Sequence, residues 1–177
     1  MRLDAQTQKL LLSAAKIARE FGHGYVGSAH LLIAMAKGTD MVAKILQTAG
    51  VEPKLAEQLA AILYGVGTPG LPLPQGFSGQ MQRILLDAGR EAGFQHCARV
   101  EPAHMLLAML RQGKTAAREL LILSGVDTEA LFSLTVETLR LQRKNTILKK
   151  EAITTNYSLS PLATRERSHM KLSCWSW

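Results

Sequence analysis

The amino-acid sequence predicts an all-α protein made of two similar four-helix units, followed by an irregular tail. Three observations carry that prediction. A block of sequence recurs about seventy residues downstream, and self-similarity at a fixed period marks a repeat architecture. Apolar residues return every three or four positions between cap residues and Gly or Pro stops, which is the period of a helix. No run shows the strict apolar–polar alternation of a half-buried strand.

The duplication rests on three ordered blocks. Ala18-Arg19-Glu20-Phe21-Gly22 matches Gly89-Arg90-Glu91-Ala92-Gly93 at an offset of 71. Ser28-Ala29-His30-Leu31-Leu32-Ile33-Ala34-Met35 matches Pro102-Ala103-His104-Met105-Leu106-Leu107-Ala108-Met109 at 74. Gly50-Val51-Glu52 matches Gly125-Val126-Asp127 at 75.

Each helix then has a local cause. The first is expected from Gln6 to Phe21, with Leu10, Ala14 and Ile17 on one face; Asp4 caps it and Gly22 ends it. Ser28 reads as the N-cap of the second, which buries Leu31, Leu32 and Met35. The third starts near Asp40 and stops at Gly50. Pro53 opens the fourth, since proline is tolerated in a first helical turn; Leu55, Leu59, Ile62 and Leu63 are its apolar face. In the second unit Ser78 caps a helix carrying Met81, Leu85 and Ala88, and Pro102 opens the next. A helix from about Thr115 to Leu123 is stopped by Gly125. The last runs from Asp127 to about Leu141 with Leu131, Leu134, Val136 and Leu139. The expected domain is therefore 1–142, with repeat one at 1–64, a Gly/Pro-rich connector at 65–77 and repeat two at 78–142. Residues 143–177 read as a basic tail or linker.

Composition narrows the function classes. The 177 residues are 47% hydrophobic and 20% charged, as in ordinary globular proteins. No stretch approaches the roughly 18 to 20 apolar residues that span a bilayer, so no membrane is expected. The N-terminus lacks the layout of a secretion signal, and Cys97 and Cys174 are far apart; a cytoplasmic, reducing setting is expected. The net charge of +7 is concentrated beyond residue 140, where seven Lys and Arg face two acidic residues. A nucleic-acid-binding fold would carry that excess on its body, so no nucleic-acid partner is expected.

Candidate chemistry is sparse. Gly65-Val66-Gly67-Thr68-Pro69-Gly70 has neither the lysine nor the following helix of a phosphate loop. Gly76-Phe77-Ser78-Gly79 is one residue short of a nucleophile elbow. His23, His30, His96 and Cys97 are zinc-competent types, and a metal-binding enzyme built on them is the alternative from a different class. Their spacing fits no tight ligand pair. His30 and His104 read instead as structural histidines bonded near helix starts. Glu20 and Glu91 read as a matched pair on solvated helix faces, and Met35, Met105 and Met109 as core. No catalytic residue, cofactor or metal is expected.

The repeat resembles the Clp repeat, the N-terminal domain of ClpC- and ClpA-type AAA+ unfoldases. The resemblance rests on Ala18 to Leu32, which reads ARE-FGHGYVGSAHLL, then Ala43-Lys44-Ile45-Leu46 and Gly50-Val51, with Phe77-Ser78 opening the second copy. It covers about residues 5–142 and implies a pseudo-twofold bundle of eight helices. It also implies a non-catalytic protein-binding module that docks substrates or adaptors for an unfoldase ring feeding the ClpP chamber. A stand-alone regulator of the Clp complex is the alternative within that class. In ClpC-type proteins a Thr-Glu pair in each repeat can hold phosphorylated arginine. Ser28-Ala29 and Pro102-Ala103 occupy those positions here, as the protein-binding residues the resemblance implies. Both carboxylates are absent, and a guanidinium fork needs one. Ser28 retains only a capping role in this reading.

Overall fold

The computed structural model describes residues 2–67 and 74–158, with side chains as far as 148. Eight helices form among them: α1 (Ala5–Glu20), α2 (Ser28–Ala36), α3 (Met41–Thr48), α4 (Pro53–Tyr64), α5 (Gly79–Phe94), α6 (Pro102–Arg111), α7 (Ala116–Leu123) and α8 (Thr128–Ser158). Two units can be distinguished, residues 1–137 and 138–177. The first holds both repeats.

Caps set the helix starts. Asp4 Oδ1 accepts the Thr7 N–H, Asp40 Oδ1 the Ala43 N–H at 2.9 Å, and Ser78 Oγ the Met81 N–H at 3.2 Å. Thr115 Oγ1 accepts from Arg118 N–H, and Asp127 Oδ1 from the N–H groups of Glu129 and Ala130. Each cap satisfies donors that the first helical turn leaves without partners. Gly22, Gly50 and Gly125 end helices at φ 68°, 87° and 75°, a region that costs glycine little.

The two halves are related by a pseudo-twofold arrangement. α1 packs on α2 as α5 packs on α6, and α2 lies against α7 as α6 lies against α3. Two short parallel bridges tie each half to the other, Leu3 with Val100 and Val26 with Phe77. Their hydrogen bonds correspond one to one. Val100 N–H donates to Arg2 O and Val26 N–H to Gly76 O, both at 2.8 Å; Asp4 N–H donates to Val100 O and Ser78 N–H to Val26 O, both at 3.0 Å. Equivalent residues of the two bridges, Arg2 and Gly76, Asp4 and Ser78, Val26 and Val100, are 74 apart.

That register corrects the first block of the duplication. His23 N–H closes on Ala18 O, and Cys97 N–H closes on Ala92 O. The offset there is 74 as well, so Ile17, not Glu20, is the counterpart of Glu91, and Cys97 is the counterpart of His23. Glu20 lies on an exposed face, 3.9 Å from Lys16. Glu91 is buried, contrary to the solvated face expected for it, and pairs with Arg111 Nε at 2.8 Å.

The core is the set α2 and α6 bury almost whole: Leu31, Leu32, Ile33 and Met35 from one, Met105, Leu106, Leu107 and Met109 from the other. One helix, α4, turns a different face inward than expected, and α8 buries Leu131 and Leu139 as expected but adds a polar residue to that face. α4 buries Ala56 and Ala60 and leaves Leu55, Ile62 and Leu63 exposed. Alanines let α4 approach closely, which its leucines would prevent. On α8, Thr135 is buried next to Leu131, and its hydroxyl donates to Leu131 O at 2.7 Å.

The tail also differs. α8 continues to Ser158 rather than ending near Leu141. Residues 144–158 contain no Gly or Pro, so nothing local stops the helix. The rest of the expected tail, 159–177, and most of the connector, 68–73, lie outside the described residues.

Candidate docking site and the buried polar network beneath it

Ser28, Ala29, Pro102 and Ala103 all lie in the first turns of α2 and α6, and all are buried. Their side chains therefore support the surface from below and do not form it. Ser28 does not cap α2. Gly27 is the N-cap, and Ser28 turns its hydroxyl toward the other half. It donates to Gln80 Oε1 at 2.9 Å and accepts the Ala117 N–H at 3.2 Å. The Gln80 amide in turn donates to Lys114 O. One buried hydroxyl thus joins α2, α5 and the start of α7. A buried hydroxyl that both donates and accepts avoids its desolvation penalty.

The capping that Ser28 was expected to provide comes from the third helical residue. His30 Nδ1 accepts the Gly27 N–H at 2.9 Å, and His104 Nδ1 accepts the Glu101 N–H at 3.0 Å. These are structural histidines at helix starts, as their position in the repeat suggested.

In the first half the chain of bonds goes further. His30 Nε2 lies 2.8 Å from His23 Nδ1, and His23 Nε2 lies 3.2 Å from Gly65 O. Because His30 Nδ1 is an acceptor, its proton resides on Nε2 and is donated to His23. His23 then carries its own proton on Nε2 and donates to Gly65 O. Phe21 packs against both rings, at 5.7 and 5.9 Å. Burial first, and the neighbouring His23 second, lower the His30 pKa from 6.5 to about 4. Gly67 completes the anchor: its N–H donates to Phe21 O, and a Cβ there would fall 2.1 Å from Gly22 O.

The four side chains weighed as zinc ligands do not converge. His23 and His30 meet each other, while His96 and Cys97 lie in the matching turn of the other half. Among the described residues no group of three or more His, Cys, Asp or Glu is arranged to hold a metal ion. Nor is any helix among them long and apolar enough to cross a membrane.

Above the Ser28–Gln80 link lies a surface cleft of about 530 Å³ between the end of α4 and α7. Tyr64, Gln80, Lys114, Arg118, Ile122 and Leu123 line it. Ile122 and Leu123 are more than half exposed, at 57% and 53%. Tyr64 fixes one wall by donating to Glu119 Oε2 at 2.9 Å, and burial together with Glu119 pushes its phenol pKa up. The sequence reading missed this cleft. Helical spacing shows that residues share a face but not which face is covered.

Fold and sequence together define a duplicated helical domain of two four-helix halves. The model of the Clp repeat (R) N-terminal domain matches residues 2–65 and 76–171. The chain belongs to that family. It is 28% identical over 130 residues to the chaperone protein ClpC1, chloroplastic, of Oryza sativa subsp. japonica, covering 71% of this chain and 14% of that protein. The chain thus spans about one seventh of the length of that relative. Among solved structures, the N-terminal domain of ClpD from Arabidopsis thaliana superposes with a TM-score of 0.68 at 16% identity, over 78% of this chain and 95% of that one. A complex of the ClpV N-domain with a VipB peptide superposes at 0.59 with 25% identity, over 73% and 82%.

Proposed function

We propose that this domain docks protein substrates or adaptors for an unfoldase ring of the ATP-dependent Clp chaperone–protease system. The exposed apolar cleft between α4 and α7 carries the reading. Ile122 and Leu123 present uncovered aliphatic surface beside the polar residues Lys114, Arg118 and Glu119. Such a surface, apolar at its centre and polar at its edge, suits an unfolded segment or a partner helix. The ClpV N-domain, similar in fold, has been seen with a peptide. The ring and its peptidase are proposals by analogy with the full-length relatives.

The test is binding of a fluorescein-labelled, permanently unfolded protein, such as reduced and carboxymethylated α-lactalbumin, measured by anisotropy. Replacing Ile122→Glu and Leu123→Glu together is expected to weaken binding about tenfold. Absence of binding by the unaltered chain at ~50 µM, a weak-affinity threshold, would sink the substrate reading. Unchanged binding by the variant would move the site elsewhere.

A further inference from the structure

A second cleft, of about 430 Å³, lies on the other half between the N-terminal segment, α5 and the loop before α6. Three arginines line it: Arg2, Arg90 and Arg99. Arg2 is distant in sequence from the other two and is brought to them by the Leu3–Val100 bridge, which sets it beside the 97–100 loop. No carboxylate lines the cleft. Asp87, the nearest acidic partner on α5, takes one N–H of Arg90 at 2.8 Å, and a guanidinium has further donors to offer. Among the described residues, the Arg2 and Arg99 side chains make no ion pair or hydrogen bond.

The pseudo-twofold supplies an internal control. At the 74-residue offset, Gly76 stands for Arg2, Lys16 for Arg90 and Tyr25 for Arg99. The first half therefore has a single cation there, already 3.9 Å from Glu20, and a tyrosine hydroxyl bonded to Gln75. The same backbone carries three guanidiniums in one half, one of them paired with Asp87, and a single paired lysine in the other. The fold does not need the charge, since the first half folds the same way without it. Three like charges around one concavity repel each other, and an anionic occupant relieves that repulsion.

We infer that this cleft binds an acidic peptide segment, whose carboxylates are forked by Arg2, Arg90 and Arg99. Guanidinium matches carboxylate in bidentate geometry, which lysine does not. The inference rests on the protein-docking reading only in taking a polypeptide as the ligand; the surface is a different one.

The probe is fluorescein-labelled hexaglutamate, with hexaglutamine as the neutral control, titrated against the full chain at low salt. The variant R2G/R99Y installs the residues of the other half at both exposed positions, so its thermal melt should match the parent. Hexaglutamate binding is expected to fall about tenfold in the variant, hexaglutamine to bind neither protein, and I122E to leave hexaglutamate binding unchanged. Amide shifts on the parent protein should cluster at residues 2, 90 and 97–100. Equal binding by parent and variant, or shifts confined to the basic tail, would overturn the inference. Tighter binding of a single-stranded oligonucleotide, lost in the variant, would overturn it in favour of nucleic acid. Loss of α-lactalbumin binding with hexaglutamate binding intact would remove the docking reading of the α4–α7 cleft alone.

Discussion

The two halves share a backbone and differ in where they place polar groups inside it. In the first, the end of α1 is apolar at Ile17 and the polar link is the His30–His23–Gly65 chain in the turn beyond it. In the second, a carboxylate sits at the Ile17 position: Glu91 is buried and held by Arg111, whose guanidinium also lies 5.3 Å from the Phe132 ring centre. Even the turn closers differ, glycine at 22 and His96 at φ 54°. The comparison teaches that helix caps and the two reciprocal bridges preserve this fold, while single buried positions change chemistry.

The first way to break that comparison is acid. His30 is neutral and buried with a pKa near 4, whereas an unfolded histidine titrates near 6.5. Between those values the unfolded chain binds the extra proton, so stability is full above about pH 6.5 and falls as the pH drops toward 4. The loss reaches about 3 kcal/mol at pH 4. Urea unfolding at pH 7 and pH 4.5 should show a smaller acid loss in His30→Gln than in the parent, and an equal loss would disprove the assignment.

Next comes Arg111→Ala, which strands the Glu91 carboxylate. The cost is expected near 2 kcal/mol, below that of a fully buried pair because Arg111 is 59% exposed. Adding Glu91→Ile, the residue of the other half, should return most of it. If the double variant is as unstable as the single one, the halves are less interchangeable than their backbones imply. The smallest effect is at Thr7, fully buried, whose hydroxyl donates to Val100 O at 2.9 Å where the other half has Met81. Thr7→Val should cost about 1 kcal/mol, read as a shift in the urea midpoint.

Much of this was legible in the sequence, and the failures have physical causes. Caps at Asp4, Asp40, Ser78, Thr115 and Asp127 and stops at Gly22, Gly50 and Gly125 set five helix starts and three helix ends within the two repeats, because unpaired turn donors and positive φ demand particular residues. The mistaken pairing of Glu20 with Glu91 arose because a slip of three residues is almost one helical turn. It keeps the apolar face, so periodicity does not detect it. The caps did contain the answer: Leu3-Asp4 and Phe77-Ser78 are 74 apart. On α4, Leu55, Leu59, Ile62 and Leu63 make the larger apolar stripe, yet close packing selected Ala56 and Ala60. Neither cleft was visible, since each is assembled from segments that only the tertiary fold brings near one another.

The crossed bridges also bear on how the molecule is made. Leu3 waits for Val100, which leaves the ribosome only after nearly a hundred further residues have been joined. Until then the first repeat has an open edge and a buried face without its cover. A chain cut after α4 would leave Val26 seeking the Phe77 it lost, and a second truncated copy offers Leu3 as the nearest substitute. Such a half is expected to pair with itself or stay unfolded, so both repeats must be synthesised before either is finished.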